Sequence, residues 1–153
     1  MSKKQVFTEV DDLMQAIQDD IEETLADDVL EVIRDIEIEH VYTDVLAQYQ
    51  PQIYERRSTG GISDRKNIQG VVKDMELDVY NRTKFDPGYG TYNHGEGLAE
   101  LINDGNKRYF YDYYGKFVQP RPFIDNTEAE IMHGKLVDWA LEKGLRKRGN
   151  DVK

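Results

Sequence analysis

Between Glu9 and Gln48 the chain contains no glycine or proline, and its apolar residues recur every three or four positions. Leu13, Ile17, Ile21, Leu25, Val29, Val32 and Ile36 form a stripe, broadened by Leu30, Ile33, Val41 and Val45. This is the period of a helix with one buried face. Thr8 stands in capping position with Asp11 three residues on, which predicts a capping box at the start. The run Ala26-Asp27-Asp28 is where a bend would divide the stretch into two helices, and Pro51 ends it. An unbroken helix of this length would run ~60 Å. That is farther than a domain of this size covers, so the pattern predicts a neighbour for part of it.

The period then changes. Residues 53–68 read as a loop with at most one short strand, turned by Gly60-Gly61, with Arg56-Arg57 as a local basic spot. Residues 68–81 alternate, with Val72, Met75, Leu77 and Val79 on one face and Asp74, Glu76, Asp78 and Tyr80 on the other. Period two predicts a half-buried strand. Residues 81–97 read as a long irregular loop carrying Tyr89 and Tyr92. Leu98 to Asn103 reads as a short helical turn stopped by Asp104-Gly105.

An aromatic run, Tyr109-Phe110-Tyr111-Asp112-Tyr113-Tyr114, follows. Pro120 and Pro122 flank Arg121 and make a stiff extended strut. Thr127 and Glu130 have capping-box spacing, which predicts a final helix from Glu128 to Arg148. Met132, Leu136, Trp139 and Ala140 would line one face, widened by Ile131, Val137, Leu141 and Leu145. The fold class expected is α+β: a long N-terminal helix (or two), a small mostly antiparallel sheet, a C-terminal helix and extended loops. One domain spans 1–153: an arm at 1–8, helix at 9–50, strands and loops at 51–123, the last helix at 124–149 and a tail at 150–153.

Composition narrows the function. Hydrophobic residues make up 39% and charged residues 33% of 153, so the core is modest and much surface faces solvent or partners. The net charge is −10. Residues 1–50 hold 14 Asp and Glu against three Lys and Arg, while the end is basic through Lys143, Arg146, Lys147, Arg148 and Lys153. Such a chain is poorly suited to gripping phosphates, although an acidic wall would let DNA slide past. Cysteine is absent, which excludes disulfides and thiolate chemistry. No apolar run reaches the ~18 residues of a membrane span, and Lys3-Lys4 precede no signal-like apolar stretch. The expectation is a protein made and used on the cytoplasmic side, with no membrane contact.

Candidate chemistry is sparse. The acidic N-terminal run lacks the calcium-loop pattern and reads as a solvated helix face. Asp74, Glu76 and Asp78, with Lys73 or Lys84 nearby, would suit a two-metal nuclease, but solvent-facing alternation explains the same residues. His40, His94 and His133 lack metal-ligand spacing. Gly88, Gly90, Gly95 and Gly97 form neither a dinucleotide fingerprint nor a P-loop. No cofactor, metal or catalytic residue is expected. The aromatic run differs, because six adjacent positions cannot all face one core, and tyrosine suits interfaces. Tyr89, Tyr92, Tyr109, Phe110, Tyr111, Tyr113, Tyr114, Arg121 and Phe123 are the candidate contact residues.

Gln119-Pro120-Arg121-Pro122-Phe123-Ile124, followed by a helix, resembles the P-x-R-P-F-(L/I) segment near the end of neck and tail-completion proteins of long-tailed bacteriophages. Gly97-Leu98-Ala99-Glu100-Leu101-Ile102-Asn103-Asp104-Gly105 is similar to the apolar-acidic-Gly stretch upstream of that segment. The two motifs together hold 15 of the 153 residues, about a tenth of the chain. The resemblance implies a structural virion protein, not an enzyme. Copies would form a ring between head portal or adaptor and tail, with DNA passing through unread. The acidic helix would face the lumen or rim. The protein would act in the virion neck and be assembled in the host cytoplasm. The alternatives are a metal-dependent nucleic-acid-processing phage enzyme using Asp74, Glu76 and Asp78, and a soluble adaptor whose acidic helix binds a basic partner.

Overall fold

The structure, a computed structural model, describes residues 6–48, 50, 56, 59–84, 97–105 and 119–152. It is α+β, as the pattern predicts. The glycine-free stretch is helical throughout: α1 (Val10–Thr24), a π-helical turn (Leu25–Val29), α2 (Leu30–His40), a second π turn (Val41–Val45) and a 3-10 turn (Leu46–Gln48). The bend expected near Ala26 is a widened turn and not a break. Thr24, Leu25, Val29 and Leu30 all keep right-handed helical backbone. A π turn holds an extra residue, which rotates the apolar stripe. The result is that adjacent Val29 and Leu30 both face inward, 2% and 6% exposed. Thr8 does not cap the helix. The N-cap position is Glu9, with no side-chain bond.

The C-terminal part differs most from expectation. The single last helix is two helices, α4 (Phe123–His133) and α5 (Leu136–Lys147). Gly134 separates them with an extended ψ of 171°. A Cβ there would lie 2.5 Å from the Glu130 carbonyl oxygen, so the residue that leaves the helix at this point must be small. The helix also begins at Phe123, before the proposed cap. Thr127 is therefore interior, and its hydroxyl donates to the Phe123 carbonyl at 2.7 Å. The capping box does not form.

The cap comes from another helix. Helix α3 (Leu98–Asp104) presents buried Asn103, whose Oδ1 accepts from the backbone N–H of Ile124 at 2.9 Å and of Asp125 at 3.3 Å. Those N–H groups have no partner within their own helix. The strut itself ends in an inverse γ-turn. Pro122 has φ −77° and ψ 56°, and the Phe123 N–H donates to the Arg121 carbonyl at 2.8 Å. The Arg121 N–H donates to the Ile102 carbonyl at 2.9 Å, which ties the strut to α3.

Residues 68–81 form a hairpin and not one strand. β1 (Ile68–Lys73) pairs antiparallel with β2 (Glu76–Asn81), Lys73 opposite Glu76. The two turn residues, Asp74 and Met75, have φ of 52° and 62°. This is a two-residue hairpin turn built without glycine. Leu77 and Val79 face inward as expected, while Met75 sits exposed in the turn. Gly70 lets the hairpin approach the long helix, since a Cβ there would lie 2.8 Å from Leu30 Cδ1.

The α4–α5 pair runs antiparallel along the long helix. Its contacts step backward, from Asn126 with Asp44 to Glu130 with His40, and from Gly144 with Thr24 to Asn150 with Asp20. Two apolar clusters result. One joins Val41, Val45, Ile62, Ala99 and Phe123. The other joins Val29, Ile33 and Ala140, with Leu77, Val79, Val137 and Leu141 packed around them. Full burial of a side chain such as Phe123 is worth about 2 kcal/mol.

Candidate functional site

Of the contact residues expected from sequence, Tyr89, Tyr92, Tyr109, Phe110, Tyr111, Tyr113 and Tyr114 lie outside the described residues. Phe123 requires correction as a surface position. It is fully buried at the first turn of α4, where the γ-turn and the Asn103 cap aim it into the core. Arg121 is half-buried in the strut.

The acidic trio does not converge. Asp74 occupies the hairpin turn, and Glu76 and Asp78 are exposed on the outer face of β2. Among the described residues no three His, Asp or Glu side chains are grouped to hold a metal. His94 lies outside the described residues, and His133 is exposed at the end of α4. His40 is structural. Its Nδ1 lies 3.0 Å from Asp44 and its Nε2 lies 2.8 Å from Glu130, which links the long helix to α4. Burial pushes the Asp44 carboxyl up, but hydrogen bonds from Asn126, His40 and Thr43 outweigh it and leave it below the ordinary value. Among the described residues no helix is long and apolar enough to cross a membrane.

Part of the acidic face is already occupied by the chain's own end. Arg148 donates to Asp28 at 2.7 Å, to Asp27 at 3.0 Å and to Glu23 at 3.3 Å. Asn150 donates to Asp20 at 2.8 Å. The Arg148 bond holds the Asp28 carboxyl below its ordinary range, against the pull of burial. The free acidic surface of α1 therefore narrows to its first turns, around Glu9, Asp11, Asp12 and Asp19.

Those turns also expose the apolar stripe. Val10, Leu13, Met14 and Ile17 are at the surface, Val10 at 74% and Met14 at 60% exposure. The antiparallel α5 ends opposite Glu23 and Asn150 reaches Asp20, so among the described residues the first turns of α1 extend past the C-terminal end. Part of the apolar face expected on the last helix forms a second apolar surface. Met132, Leu136 and Trp139 face outward, at 77%, 51% and 55% exposure. The inner face of α5 is Val137, Ala140, Leu141 and Gly144 instead. The signal for this choice was the small pair Ala140 and Gly144, which permits close helix approach. A Cβ on Gly144 would lie 2.4 Å from Thr24 Cγ2. Exposed large apolar residues grouped in this way mark contact surfaces.

The chain was compared with known proteins. The model of the YomN family matches residues 9–147. The SPbeta prophage-derived uncharacterized protein YomN of Bacillus subtilis (strain 168) is 30% identical over 112 residues, covering 72% of this chain and 71% of the relative. No solved structure matches the chain. Neither match names a neck or tail-completion role; what they carry is a phage origin. The matched span runs from the start of α1 to the end of α5, and so includes both exposed apolar surfaces. This chain is a phage-derived protein and belongs to the YomN family.

Proposed function

We propose that the chain is a structural protein of a tailed-phage particle. Copies assemble as a ring in the neck, between the head connector and the tail, and DNA passes through without sequence recognition. It acts in the virion after assembly in the host cytoplasm, and it catalyses no reaction. The observation that supports assembly most strongly is the uncovered start of α1. The stripe that packs against α5 at Thr24 continues outward through Ile17, Met14, Leu13 and Val10, which are exposed among the described residues. A monomer gains nothing by extending an apolar helix face into water. The phage origin and the Pro-Arg-Pro-Phe strut favour the neck as the place of assembly. The charge of −10 suits a wall past which phosphates slide.

The test is deletion of the gene from the phage that carries it. Electron microscopy of the lysate should then show filled heads and separate tails. Complete particles with tails attached would overturn the neck assignment.

A further inference from the structure

We propose that the free first turns of α1 in one copy dock on the Leu136–Trp139 face of α5 in the next. The contact is head-to-tail between copies of this chain. It rests on the ring reading above and names the surfaces that would build the ring.

Val10, Leu13, Met14 and Ile17 follow the i, i+3, i+4, i+7 spacing of one helix face. Glu9, Asp11, Asp12 and Asp19 flank them, and no lysine or arginine occurs between Val6 and Ile33. Two such ends laid against each other would set like charges together, which disfavours a symmetric pairing of α1 with α1. The outer face of α5 has the opposite character. Leu136 and Trp139 lie three apart on that face, with Lys135 and Lys143 beside them, and the one acid next to Trp139 on that side, Glu142, is paired with Arg146 at 2.6 Å. The Lys143 ammonium lies 4.5 Å from the Trp139 ring centroid. An exposed tryptophan beside cations offers an anchor of the kind that dominates binding energy, and an acidic apolar helix matches it in apolar character and in charge.

One copy cannot satisfy both surfaces itself. The start of α1 lies past the C-terminal end of α5, whereas Leu136 opens its N-terminal end, ~18 Å away along the helix. Each copy therefore offers one acidic apolar end and one basic apolar face. Contacts of this kind propagate from copy to copy and close into a ring where the rotation allows.

Sedimentation of the full chain across a concentration range tests the contact. The wild type should self-associate. Met14→Asp and Trp139→Asp, both at exposed positions, should each weaken association by ~30-fold or more. An equal mixture of the two variants should then form one-to-one pairs and nothing larger, because each retains the surface the other lacks. A monomeric wild type, a Trp139→Asp variant that assembles normally, or a mixture that stays monomeric would each overturn the proposal. Thermal unfolding monitors the fold. Should a variant melt early, Lys143→Glu replaces it. That change removes no apolar surface and should weaken association about tenfold through charge alone; unchanged association would again overturn the contact. Wild-type assembly that survives these changes leaves the ring standing on another interface. Failure of the gene-deletion test removes the neck reading whatever this contact does.

Discussion

Arg148 and Glu37 show how single side chains set the stability of this chain in opposite directions. Arg148 ties the end of α5 to Glu23, Asp27 and Asp28. Its bond to Asp28, aided by Lys147, keeps that carboxyl below the ordinary value of 3.8. A depressed acid contributes stability above its unfolded value, and that stability is lost as pH falls through the folded value. Arg148→Ala should therefore cost about 2 kcal/mol at pH 7, since it leaves Glu23 and Asp27 without their cation and Asp28 with Lys147 alone. The difference from wild type should shrink at pH 3, and urea unfolding at both pH values measures it.

Glu37 works the other way. Burial, against the Asn81 hydrogen bond and with Glu100 adding to it, raises its carboxyl above the ordinary 4.5. Stability then falls as pH rises through the shifted value. Glu37→Gln keeps an acceptor for the Asn81 amide, which sits 2.8 Å away. It should raise the urea midpoint at pH 7 and leave it nearly unchanged at pH 4. The sequence displayed these charges but not their partners. Arg148 read as a cation suited to a helix end, and nothing local places it beside Asp28.

At the level of elements, the packing of α5 turns on Gly144. A glycine inside an exposed helix usually gains about 1 kcal/mol when changed to alanine. Here the added Cβ would meet Thr24 Cγ2 at 2.4 Å and Asp28 Oδ2 at 2.9 Å. Gly144→Ala should therefore destabilise by about 1–3 kcal/mol, with a lower thermal midpoint. A rise in the midpoint would mean that the two helices can separate without loss. The same glycine decides which part of the broad apolar face of the last helix is buried. The stripes through Leu136 and Trp139 and through Val137, Ala140 and Gly144 are neighbours on one helix, and hydrophobicity alone favours the larger side chains. Close approach favours the smaller ones, and close approach prevailed. The long N-terminal helix was more legible, because its period persists over many turns. Its π turns were not, since they shift the stripe by one residue without a glycine or proline to mark them. The hairpin was hidden for a related reason: Asp74 and Met75 make a left-handed turn without the usual residues.

For the whole molecule, the fold class was readable from the change from helical period to period two and back, while the length of the first helix is what suggests a neighbour. The structure leaves two apolar surfaces exposed, the start of α1 and the Leu136–Trp139 face, and the proposed assembly rests on them. The aromatic run that first suggested an interface lies outside the described residues and contributes nothing to this picture. Family membership supplies a phage origin, and the exposed start of α1 is the observation on which the proposed assembly rests.

The most direct measurement is the copy number of this chain in purified phage particles, by quantitative mass spectrometry against the major capsid protein. A single closed ring in the neck requires a fixed, low count, on the order of ten per particle. Absence from the particle, or a count that varies between preparations, would contradict it.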